Sequence, residues 1–203
     1  EPVMRTVFRQ RDMLSLHGAA LESGGQAIIL LGKKGAGKST FAAALVEAGW
    51  NLVTDDLARV CERDGRWFVE PGFAQLKMTP DTAQALGYDL ASLPRRWTSA
   101  EAVDDPLVNK YIRKFESPER AVPLRALYIL SPASAEEPAA RSTSLSPAHR
   151  VRAAFEHISD DPAAPGTPPS PAMLKQALAM LGHVEARSLA LPRRYDALPD
   201  AAR

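Results

Sequence analysis

The residues Gly32-Lys33-Lys34-Gly35-Ala36-Gly37-Lys38-Ser39-Thr40 satisfy the pattern Gly-x-x-x-x-Gly-Lys-Ser/Thr. Glycines at this spacing let consecutive backbone N–H groups turn inward on phosphate oxygens, and a helix starting where they end adds partial positive charge at the same point. The candidate nucleotide ligands are therefore Gly32, Gly35, Ala36, Gly37, Lys38, Ser39 and Thr40, with Lys38 on the β- and γ-phosphates of a nucleotide and the Ser39 hydroxyl on Mg²⁺. The pair Asp55-Asp56 begins 17 positions after Lys38, so one helix and one strand bring both carboxylates back to the loop. One can bind Mg²⁺ while the other takes the proton of an attacking hydroxyl. Spacing alone does not divide the two jobs, and a pair of helix-capping acids would leave the same trace. His17 precedes Gly18 on the approach to the loop strand. It is a candidate because imidazole exchanges protons near neutrality. Lys77, and the basic residues from Lys110 to Arg120 with Arg113 among them, are candidates for holding phosphate charge or an acidic acceptor, with solvated surface as the alternative.

The elements that must position these groups follow from pattern. Leu14 to Leu21 and Gln26 to Leu31 read as two strands joined at Gly24-Gly25, the second leading into the glycine loop. Lys38 to Ala48 reads as a helix with Phe41 and Leu45 on its buried face, closed by Gly49. Asn51 to Thr54 is a short strand that delivers Asp55 and Asp56 to its C-terminal end. Arg59 to Val69 reads as a hairpin about Asp64-Gly65, and Thr79-Pro80-Asp81 starts a helix running to Gly87. Leu90 to Pro123 lacks periodicity and is expected to be a long irregular segment that could cover a site. Leu124 to Leu130 is a strand. A helix follows from Ser146-Pro147 with Ala148, Val151, Phe155 and Ile158 on one face, then a helix from Ser170-Pro171 to Gly182, a strand from Val184 to Leu191 and a polar tail. Eight of the 17 prolines lie between Pro132 and Pro171, so 131–145 and 160–169 are expected to be mobile loops.

Composition narrows the function classes. The 203 residues carry 25 Lys+Arg against 24 Asp+Glu, a net charge of +1, without the basic excess of a protein that lives on phosphate backbones. No nucleic-acid partner is expected. At 45% apolar residues the chain can bury a core as one domain over 1–203. No apolar run, Ala27 to Leu31 included, approaches the length of a bilayer span and the first residues form no signal-peptide pattern, so neither a membrane nor secretion is expected. The single cysteine, Cys61, forms no internal disulfide, which fits a reducing, cytoplasmic setting. The first residue is Glu1, and a trimmed upstream segment is left open.

Leu16-His17-Gly18, the loop through Lys38-Ser39-Thr40, Ala48 to Val53 and Asp55-Asp56, in that order, resemble the catalytic domain of the HPr kinase/phosphorylase family and in particular its shorter relatives. The stretch Val69 to Lys77 and the helix after it resemble that shorter group too. The resemblance implies an α/β P-loop kinase domain of the HPr kinase/phosphoenolpyruvate carboxykinase-like type, a central mixed sheet with flanking helices, using ATP and Mg²⁺. It implies Asp55 as general base, Asp56 and Ser39 at the metal, Lys38 on phosphate, and His17 orienting the base. The Glu-Ile-Arg-Gly stretch of the bifunctional enzymes is missing, with Val69 to Lys77 in its place, which argues against HPr itself and against the phosphorolytic reverse reaction. The expected acceptor is a serine of a peptide or small protein, as for lasso-peptide tailoring kinases, and homo-oligomers occur in the family. A kinase acting on a small-metabolite hydroxyl and a non-catalytic ATP-binding switch are the alternatives.

Overall fold

Gln26–Leu31 (β3) is apolar at five consecutive positions because both of its faces are covered. In this computed structural model, which describes residues 2–95, 109–132, 139–192 and 195–198, β3 lies inside a mixed sheet. It pairs antiparallel with Gly18–Ser23 (β2) and parallel with Val122–Pro132 (β9), setting Gly18 opposite Leu31 and Ile28 opposite Ala126. Asn51–Thr54 (β4) closes that side against β2. The long β9 is shared on its other edge. Its first two residues pair with Arg66–Val69 (β6), and from Ala126 it runs parallel to Glu185–Leu191 (β11). Beyond β6 come Ala58–Arg63 (β5) and the two-residue Ser15–Leu16 (β1), and Arg141–Ser144 (β10) borders β11. A separate ribbon joins Gln75–Met78 (β7) to Tyr111–Lys114 (β8).

The alternation along β3 builds two cores. Ala27, Ile29 and Leu31 pack with Leu127 beneath Pro147–Glu156 (α4) and Pro171–His183 (α5), through Ala154, Met173, Ala177 and Met180. Ile28 and Leu30 face the other way, onto Phe41 and Leu45 of Lys38–Glu47 (α2) and onto Leu76 and Met78 of β7. The result is the α/β architecture expected, a central mixed sheet with flanking helices. Among the described residues no helix is long and apolar enough to cross a membrane.

Four expectations change. A nine-residue helix, Pro2–Gln10 (α1), opens the chain where no element was read. None of its residues is buried. It is held instead by side chains, Thr6 to Asp161 at 2.7 Å and Arg9 to the carbonyls of Thr167 and Pro168 at 2.9 and 2.6 Å. The segment expected to be irregular contains a 3-10 turn at Leu90–Ser92 and the strand β8, while its residues 96–108 lie outside the described residues. Part of the loop expected over 131–145 is the strand β10, whose four side chains are all exposed and so leave no apolar alternation to read; residues 133–138 lie outside the described residues. Finally, Ala148 is exposed, and α4 buries Ala153 and Ala154 instead. The helix Pro80–Ala85 (α3) forms where expected, capped by the Thr79 side chain.

Candidate active site

At the end of β3 the chain turns through Gly32, Gly35 and Gly37 with φ of 151°, 84° and 92°, backbone that residues with a Cβ rarely adopt. A side chain at Gly32 would also stand 3.1 Å from the Ala36 Cβ and 3.2 Å from the Leu130 carbonyl. Gly37 is the N-cap of α2, contributes no capping side chain, and no acid occupies the first turn. The positive end of α2 is thus left for an anion from elsewhere. Lys38 Nζ donates to the Gly32 carbonyl at 2.6 Å and to Lys33 O at 3.4 Å, which folds the ammonium over the loop. Burial pulls its pKa below the ordinary lysine value, against the pull of Asp56 and Asp55 and with the help of Lys110. Ser39 follows on the first turn, half-buried. The Thr40 hydroxyl lies 3.1 Å from that of Thr82, so its side chain joins α2 to α3.

The two acids occupy different surroundings. Asp55 is buried at 5% exposure; its N–H donates to Phe73 O at 3.1 Å and its Oδ1 accepts from the Asp56 N–H at 3.0 Å. Asp56 takes a φ of 65°, a left-handed conformation that Asp tolerates better than most residues. Its carboxylate is ion-paired with Lys77 Nζ, which β7 presents buried. Burial pushes the Asp56 carboxyl up, but the hydrogen bond and charge of Lys77, with His17 and Lys110, bring it below the usual carboxylate range.

His17 sits between β1 and β2, anchored by its N–H to the His157 carbonyl at 2.7 Å. Burial lowers its pKa, as do Lys38 and Arg5; the Asp56 charge and a hydrogen bond to the Asp56 backbone oppose this. His17, Lys38, Asp55, Asp56 and Lys77 therefore converge, although they come from four separate stretches of chain. Lys77 does so through its ion pair with Asp56. Arg113 is not brought in. It lies opposite Leu76 in the β7–β8 register, one position from the pair that carries Lys77, and so faces the other side of the ribbon. There it bonds Glu47 at 3.0 Å and stacks over Tyr88 and Phe115. Arg5, whose Nη2 stands 3.4 Å from His17 Nδ1, was not singled out in the sequence and belongs to this cluster.

Two outcomes follow from this geometry. Lys77→Met leaves the Asp56 charge with its main partner gone, and is expected to cost roughly 2–3 kcal/mol at neutral pH, at the lower edge of unpairing a buried charge because Asp56 keeps some solvent contact. The folded-state pKa of Asp56 lies below its unfolded value, so this stabilisation is complete above the ordinary carboxylate range and vanishes as pH falls through the depressed pKa. Urea melts of both proteins should differ most at neutrality and converge in acid; a gap independent of pH would sink the pairing argument. Gly72→Ala would place a Cβ 2.4 Å from Thr54 Oγ1 and 2.8 Å from Thr54 Cβ, against a buried strand end. A loss of about 1–3 kcal/mol is expected in the same melts, and a neutral result would show that the Gly72–Phe73 segment is free to move off Thr54.

The fold and the site together define a mixed α/β domain in which a Gly-x-x-x-x-Gly-Lys-Ser loop leads from a doubly buried strand into a helix and faces two acids and a histidine. No family model matches the chain. A stretch of 50 residues, 25% of this chain, is 44% identical to the HPr kinase/phosphorylase of Lactobacillus delbrueckii subsp. bulgaricus, and spans 16% of that relative's length. Among solved structures, the Hpr(Ser) kinase/phosphatase from Coxiella burnetii aligns at a TM-score of 0.41 and 13% identity, over 92% of this chain and 89% of that one. The 50-residue match supports the resemblance to HPr kinase/phosphorylase seen in the sequence.

Proposed function

We propose that the protein is an ATP- and Mg²⁺-dependent kinase that moves the γ-phosphoryl group to a serine hydroxyl of a peptide or small protein. The observation that carries this reading is the convergence of the Lys38 loop with Asp55, Asp56 and His17, groups that bind phosphate, accept a proton and orient one another. The residues present fit the cofactors. A loop in which a Cβ at Gly32 would crowd Ala36 and the Leu130 carbonyl, ending on a helix without a side-chain cap, suits a polyphosphate. The Ser39 hydroxyl and the Asp56 carboxylate are the oxygen donors that would hold Mg²⁺, which when bound neutralises charge on the phosphates.

In the reaction the acceptor serine oxygen forms a bond to the γ-phosphorus as the bond to the β-phosphate oxygen breaks and ADP leaves. Lys38 neutralises the transferring group. Asp55 takes the serine proton, and its backbone tie to Phe73 holds it in place to do so. His17 packs against the Asp56 backbone, and Lys77 fixes the Asp56 carboxylate, so neither acid has to be ordered at the moment of transfer.

A peptide acceptor is favoured by the surface around Phe73, whose carbonyl accepts the Asp55 N–H. An open cleft of about 460 Å³ is bounded by Phe73, Gln75, Lys114, Phe115 and Ser117, and Phe73 is 57% exposed at its rim. A metabolite kinase would call for an enclosed pocket. An ATP-fuelled peptide kinase of this kind would work in the cytoplasm. The test is mass spectrometry of serine-containing peptides, starting with any precursor peptide encoded nearby, after incubation with the protein, ATP and Mg²⁺. A gain of about 80 Da on a serine that disappears with Lys38→Ala supports the reading. Saturable ATP binding without any gain shifts the weight to a metabolite acceptor or a switch.

A further inference from the structure

Arg5 is the point at which α1 enters the site. Its Nη2 lies 3.4 Å from His17 Nδ1, and its Nη1 bonds Asp160 Oδ1 at 2.9 Å, with the Arg5 side chain 18% exposed. A guanidinium has donors only, so the Nδ1 it faces must present a lone pair. The same imidazole hydrogen-bonds the Asp56 backbone, and with Nδ1 accepting, the proton that reaches a carbonyl there sits on Nε2. The other charges facing the ring are Lys38 from α2 and the Asp56 carboxylate from the end of β4.

We infer that Arg5 is a positioning residue of this site: it holds His17 as the Nε2–H tautomer, ring edge toward Asp56, and couples that ring to Asp160 in the loop after α4. The arrangement makes α1 a working part of the centre. The Thr6–Asp161 bond and the Arg9 bonds to Thr167 and Pro168 clamp the helix to the 160–168 loop independently of the guanidinium. The consequence for turnover rests on the kinase reading above, whereas the consequence for the ring does not.

The test uses the full chain labelled with ¹⁵N-histidine, its ring signals recorded at one fixed pH near neutrality and assigned with His17→Gln. Wild-type protein is expected to show His17 protonated on Nε2 and accepting on Nδ1. Arg5→Ala is expected to bring up the Nδ1–H form, and Arg5→Lys to restore much of the original signal. Thr6→Ala cuts another tie of α1 without touching the guanidinium and is expected to leave the ring unchanged. In phosphoryl transfer, Arg5→Ala should lower kcat roughly tenfold or more with the ATP KM held within about twofold, the scale on which small misplacements act. Asp160→Asn keeps Arg5 but loosens its far end, and should move the ring the same way by less, which serves if Arg5→Ala does not fold. Unchanged His17 signals in both variants, or the same change in Thr6→Ala, overturn the inference. A tautomer that depends on Arg5 in a protein without any transfer activity supports the inference and overturns the kinase reading instead.

Discussion

Lys38→Ala is expected to lower phosphoryl transfer by about 10²–10³-fold, the cost of removing one preorganised donor from a developing charge. The fold should survive it. Lys38 contributes no packing to the core beneath α2, which rests on Phe41, Leu45 and the alanines between them. What the substitution removes from the resting protein is the pair of bonds to the Gly32 and Lys33 carbonyls, together about 1–2 kcal/mol. Those bonds also show how the side chain is stored. An ammonium has three donors, and two of them lie on the loop's own carbonyls, so the group proposed to meet the phosphates already lies folded over the loop. Timed phosphopeptide yields beside a thermal melt separate the two effects. A variant that kept the wild-type rate would reduce Lys38 to a staple of the loop.

Asp55→Asn is the second large effect and differs in kind. An amide has the shape of the carboxylate and can still accept the Asp56 N–H, so the strand end should keep its geometry. It cannot take the acceptor proton. Transfer should fall by about 10²–10⁴-fold, the range of a positioned general base, while calorimetric affinity for ATP with Mg²⁺ stays within about twofold. Asp56→Asn should show the reverse emphasis, with nucleotide affinity weakened because it sits with Lys77 and Lys110 at the charged side of the site. Near-normal transfer by Asp55→Asn would take the role of base away from it.

The legible parts of this chain were those where chemistry and pattern are local. The glycine loop, the helix after it and Asp55-Asp56 are fixed by φ requirements and apolar spacing within a few residues. The hairpin about Asp64-Gly65 and the Ser-Pro and Thr-Pro helix starts are local in the same sense. What stayed hidden depends on distant partners. α1 carries Val3, Met4, Val7 and Phe8 at helical spacing but is too short to stand alone, and the residues that hold it lie about 155 positions away. β8 and β10 are strands of only four residues, and β10 shows only exposed side chains. The same reason hid Arg5, which lies beside His17 only because the fold brings α1 and the 160–168 loop together there, and it separates Lys77 from Arg113. Both were basic residues near a site, and only the strand register reveals that they point to opposite faces.

The division of the interior by β3 and β9 has an evolutionary consequence. Side chains beneath α4 and α5 and those beneath α2 belong to separate clusters with a sheet between them, and substitutions that share no neighbours change stability nearly additively. Lineages can therefore drift on the α4–α5 side without a compensating change under α2. The exception is the rim where α1 and the 160–168 loop reach round to His17, so there inherited changes must come in matched sets.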